Sequence, residues 1–167
     1  MKKINRLIAL FTLLVVLSVG CKPEDIKEFT PAQSSGDVNA IAGTWKGFQV
    51  VQRDMDAERK GFPFKALDIT APMQFTDVTV KLNTNNGAPS TFEITYGNGA
   101  PLLEFTSGTW RVDNNSKVGN VELINNLDTI KLKLGSYNLI RGGKMQWTTT
   151  KKLLGKEAIA YDYTFTK

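Results

Sequence analysis

From residue 41 onward, apolar positions recur with a period of two rather than 3.6. Val78, Val80 and Leu82 alternate with Asp77, Thr79 and Lys81. Ile130, Leu132 and Leu134 alternate with Thr129, Lys131 and Lys133. Ile159, Tyr161, Tyr163 and Phe165 alternate with Ala160, Asp162, Thr164 and Thr166. Such strands bury one face and wet the other, as antiparallel sheets do. The pattern predicts eight strands: 41–53, 78–82, 90–96, 106–112, 117–125, 129–134, 144–150 and 159–166. Asn85-Asn86-Gly87, Asp113-Asn114-Asn115, Asn125-Asn126 and Arg141-Gly142-Gly143 supply turn residues that tolerate positive φ. Short connections make sequence neighbours pair in space. The expected fold is all-β, an eight-stranded antiparallel up-and-down barrel, closed because closure removes exposed edges.

One stretch breaks the rhythm. Asp54 to Pro72 is too long for a tight hairpin and too apolar for a plain solvated loop. It is read as a flap over one barrel mouth, with a helical turn near 54–60. Phe62 and Phe64 are its apolar contacts, and Pro63 holds the backbone between them extended. The alternative is an excursion whose two rings cap the core.

Upstream the pattern changes character. Lys2, Lys3 and Arg6 precede an apolar run from Leu7 to Val19. Thirteen helical residues span about 20 Å, short of the ~30 Å hydrocarbon core, so the run reads as a secretion signal. It ends at Leu17-Ser18-Val19-Gly20-Cys21. A small residue followed by the single Cys of the chain resembles a bacterial lipobox, with Ser18 where Leu is usual. On this reading the signal peptide is 1–20, and Cys21 is lipidated and opens a tether over 21–38. The barrel domain is 39–167. Lys22, Glu24 and Asp25 resemble a surface-export signal of Bacteroidetes-type lipoproteins, or simply keep the tether solvated. The location implied is the outer membrane, lipid-anchored, on the periplasmic face or the cell surface.

Charge adds little to this picture. The formal net charge is +5, and removing Lys2, Lys3 and Arg6 leaves 18 basic against 16 acidic residues. A nucleic-acid reading therefore has little to stand on. Lys131, Lys133, Lys144, Lys151, Lys152 and Lys156 make the C-terminal third basic. They read as a solvated outer face or as a surface for anionic partners. There is no His, so neither a His-based hydrolytic site nor a His-ligated metal site is available. Asp54, Asp56 and Glu58 lack the Gly and the later Glu of an EF-hand loop. The reading is non-enzymatic, with no cofactor and a monomeric chain.

Gly43-Thr44-Trp45, near the start of the meander, resembles the Gly-x-Trp motif of lipocalins. Together with the lipobox, the tether, the Phe-containing insert and a second Ser107-Gly108-Thr109-Trp110, the chain resembles lipocalin-like lipoprotein domains of unknown function common in Bacteroidetes. The resemblance covers residues 39–167. It implies a barrel closed at one end by Trp45, with a basic residue from the last strands stacked on that ring. Arg141 is the only Arg after Arg111. By analogy with the fold, the barrel binds a small apolar or amphipathic molecule. Phe62, Phe64, Val78, Val80, Trp147, Tyr161 and Tyr163 are the candidate lining. The other reading is a structural or interaction subunit of the envelope with a filled barrel.

Overall fold

The computed structural model describes residues 38–115, 118–126 and 128–167. The readings made for Cys21, Lys22, Glu24, Asp25, the signal peptide and the tether lie outside those residues. Eight antiparallel strands form the wall. They are β1 (Gly43–Asp54), β3 (Thr79–Asn85), β4 (Ala88–Thr95), β5 (Ser107–Val112), β6 (Asn120–Asn125), β7 (Asp128–Leu134), β8 (Lys144–Leu153) and β9 (Lys156–Thr166). Each pairs with the next, and β9 returns to pair with β1, which closes the barrel in up-and-down order. A ninth short strand, β2 (Ala66–Asp68), pairs with the far half of β1.

Alternation decides which side faces in. Val80, Leu82, Phe92, Ile94, Trp110, Val121, Leu123, Leu132, Met145, Trp147 and Phe165 are buried. Lys81, Glu93, Arg111, Lys131 and Lys133, between them in sequence, are exposed. The buried apolar side chains of the described strands and turns gather into one core cluster that includes Val38, Trp45, Phe92, Trp147 and Phe165. Among the described residues, no helix is long and apolar enough to cross a membrane.

One end is sealed. A helical turn at the start of the described residues, α1 (Val38–Ile41), buries Val38 and Ile41 there. β1 starts at Gly43 rather than at Ile41. Trp45 is wholly buried. Its indole Nε1 donates to the Ile41 carbonyl at 2.6 Å. Lys167 Nζ lies 4.7 Å from the Trp45 ring centre and donates to the Ala40 carbonyl at 3.0 Å. A later helical turn, α3 (Tyr137–Arg141), buries Ile140 and touches α1.

The 54–72 stretch joins the wall beside β1 in its later part rather than forming a flap. Its helical turn forms as expected: α2 (Met55–Arg59) is capped by Asp54, whose side chain accepts from the N–H groups of Asp56 and Ala57. After Phe64 the chain turns back along β1. Ala66–Asp68 pair with Arg53, Gln52 and Val51, and the Ile69 N–H donates to the Val50 carbonyl. β3 meets β1 only from Gly43 to Lys46, so the returning stretch fills the place beside β1 that β3 leaves vacant. The chain then enters a 3₁₀ turn, Phe75–Asp77, which buries Phe75. That turn sits directly on β1. A side chain at Gly47 would drive its first carbon into the Phe75 carbonyl oxygen, so only glycine fits there.

Candidate functional site

The end of the barrel opposite Trp45 is open. β7 and β8 pair only at Lys133–Thr148 and Leu134–Trp147. Beyond those two pairs the walls part, and a groove of about 700 Å³ occupies the opening. That volume lies within the ~300–1,000 Å³ of small-molecule sites. Ile130 lines one side of the split, and Thr149, Thr150 and Lys151 line the other. Ile69 and Met73 come from the stretch that follows β2. Pro101, Leu102, Leu103 and Glu104 come from the β4–β5 connection, and Gln52, Tyr161 and Tyr163 from β1 and β9.

The loops of this rim are pinned. The Tyr96 hydroxyl accepts from the Leu103 N–H at 3.2 Å and donates to the Leu103 carbonyl at 3.4 Å. The Ala100 N–H donates to the Met73 carbonyl at 2.9 Å, which ties the 97–104 connection to the 69–73 stretch. The two tyrosines of β9 stand two residues apart and so share a face. Their rings are nearly parallel, 13° apart with centres at 6.2 Å. Burial pushes the Tyr163 hydroxyl above its ordinary pKa, partly offset by a hydrogen bond with Thr149. The phenol therefore stays neutral through the physiological range. Lys151 Nζ lies 5.6 Å from the centre of the Tyr161 ring.

Below the groove the barrel is filled. Trp147 packs edge-on to Phe165 at 5.0 Å, and Phe75 packs on Phe165 and Tyr163 at 5.2 and 5.8 Å. Of the sequence-derived candidates, Tyr161 and Tyr163 line the groove together. Val78, Val80 and Trp147 lie in the packed core and do not line it. The Trp147 Nε1 is buried with no hydrogen-bond partner among the described residues. Phe62 and Phe64 are 53% and 93% exposed and line no part of the groove, nor do they cap the core.

Sequence reasoning missed Leu102, Leu103, Ile69, Met73 and Ile130. The first four belong to connections, where apolar residues follow no strand period. Leu102-Leu103 directly after the Gly97–Pro101 break was the one readable signal, since an apolar pair in a loop needs something to cover it. The acids of 54–58 are spent on local structure. Asp54 caps α2, Asp56 pairs with Arg59 and Lys60, and Glu58 pairs with Arg53.

The groove is thus a mainly apolar, aromatic-walled recess with a carboxylate, an ammonium and two threonine hydroxyls among its lining. This open recess can take an apolar body against its floor and bond a polar end. Compared with known proteins, the chain matches no protein family, no curated protein and no solved structure.

Proposed function

We propose that the chain is a non-enzymatic, lipid-anchored protein of the bacterial outer membrane, on its periplasmic face or at the cell surface. Its lipocalin-like barrel binds one small apolar or amphipathic molecule in the open-end groove. The observation that carries the binding reading is the groove itself: a closed barrel, sealed at one end and open at the other over Leu102, Leu103, Tyr161 and Tyr163. The lipocalin resemblance draws support from the cation of Lys167 over the Trp45 ring. The envelope location rests on the sequence around Cys21 and requires no partner beyond the membrane.

The test is a titration of the barrel, residues 38–167, with a neutral apolar fluorescent probe. One-to-one binding is expected. Leu103→Trp fills the groove from a loop position and should weaken binding about tenfold or more, with the melting temperature held. Mass spectrometry of molecules carried by the purified protein identifies the natural class. If the probe does not bind, or Leu103→Trp leaves its affinity unchanged, the groove reading fails. The packed floor of Trp147, Phe165 and Phe75 then favours the second reading, a structural or interaction subunit that works through its outer surface.

A further inference from the structure

The loop joining β8 to β9 departs from two local rules at one residue. Leu153 pairs with Lys156, leaving the two-residue turn Leu154-Gly155 with φ of 49° and 78°. The β3–β4 hairpin uses the same backbone at Asn86 and Gly87, with φ of 50° and 78°. Asn126, at φ 53°, follows the last residue of β6. Asparagine suits the left-handed region, and a leucine there is strained. Leu154 is also 95% exposed, and Leu153 beside it is 68% exposed. An apolar side chain is therefore held against backbone preference and against water together. Neither departure stabilises the folded barrel, and such departures concentrate at functional sites.

The surroundings say what the tip meets. Lys151, Lys152 and Lys156 flank the two leucines, and Glu157 is the only acid between Lys144 and Tyr161. Glu104 shares the groove lining with Lys151, and the acids of α2 lie on the element that Arg59 ties to the start of β9 through the Glu157 carbonyl at 3.2 Å. Asp56 and Glu58 there are already paired with cations. An apolar point ringed by surplus positive charge matches an anionic lipid surface, whose interior takes the leucines and whose phosphates take the lysines.

We propose that the β8–β9 tip docks on anionic bilayers, with Leu153 and Leu154 entering the interface and Lys151, Lys152 and Lys156 lying among the headgroups. Lys151 also lines the groove, so the docked tip brings the side opening between β7 and β8 close to headgroup level. The inference takes from the envelope reading only the presence of a bilayer, and it does not depend on a ligand in the groove.

The experiment is co-sedimentation of residues 38–167, which carry the whole described core, with two kinds of vesicle. One is phosphatidylcholine containing phosphatidylglycerol, and the other is phosphatidylcholine alone. The fragment should bind the anionic vesicles, lose binding as salt rises, and leave the neutral vesicles largely untouched. Leu153→Thr with Leu154→Asn should weaken vesicle binding about tenfold or more. The melting temperature should hold or rise, because Asn suits the turn. Lys152→Glu with Lys156→Glu should abolish binding. None of these four residues lines the groove, so apolar-probe binding, read in parallel, separates failure of docking from failure of the groove. Equal binding to both vesicle types would overturn the proposal, as would no binding to either. Unchanged binding by the leucine variant would do the same. So would a concentration-dependent dimer that this variant abolishes, since the tip would then be a contact between copies.

Discussion

Trp45 concentrates the energetics of the sealed end. Its indole is wholly enclosed, its one polar atom is satisfied by the Ile41 carbonyl, and the Lys167 ammonium sits 4.7 Å from its ring centre. Trp45→Ala leaves a large void between α1 and the wall, and should cost about 3–5 kcal/mol in chemical denaturation. An unchanged denaturation midpoint would mean that the ring is not a core plug. The Gly-Thr-Trp motif was legible from sequence alone, because a glycine-flanked aromatic at a strand start reads as a crowded barrel end. Its cation was not. Arg141 drew attention as the last arginine, yet it sits in α3 and is exposed. The residue that stacks is Lys167, brought there by the pairing of β9 along β1. Sequence distance hides that pairing, and lysine gives no chemical flag in a lysine-rich stretch.

At the scale of elements, the eight wall strands follow from alternation and from Asn-Gly turn chemistry, with ends within a few residues of their expected places. β2 did not follow. Its three residues are all exposed, so no burial period announces it, and it exists because β1 is longer than its partner β3. The β8–β9 turn was equally silent, since Leu154 is not a turn-forming residue. The junction of β5 and β6 offers a pH-dependent handle. The Asp113 carboxylate accepts from the N–H groups of Gly119 and Asn120 at 2.9 and 3.0 Å and from the Asn120 side-chain amide at 2.7 Å. Desolvation pushes its pKa up, but these hydrogen bonds prevail and bring it from 3.8 to about 2. A carboxyl lowered in this way stabilises the fold fully above its unfolded pKa and loses that contribution as pH falls through its folded one. The window for Asp113 therefore runs from 3.8 down to about 2. Urea midpoints measured across that window should fall less steeply in Asp113→Asn than in the parent chain.

For the whole molecule, closure was legible and the groove was not. Closure follows from eight strands, short turns and the need to hide edges. The groove depends on how far β7 and β8 stay paired and on which loops reach across, and no local pattern encodes either. The proposed membrane anchor belongs to this scale as well. Replacing the single cysteine, Cys21→Ala, should leave uncleaved precursor or soluble protein in cell fractionation. Unchanged cleavage and membrane partition would rule the anchor out. The closing seam has a consequence for assembly. Arg53 bonds Asp162, 109 positions later, and Lys46 faces Thr166. Bringing such distant segments together carries a loop-closure entropy that no local hairpin offsets in advance. A chain emerging from its N-terminal end presents β1 first and its main partner last. Until β9 arrives, β1 can pair along its length only with the few residues that β2 and β3 offer. Refolding followed by stopped-flow fluorescence should accordingly run in the millisecond-to-second range of non-local β topologies. In that interval the polypeptide remains threadable, as the export proposed above would require of a chain that has not yet taken shape.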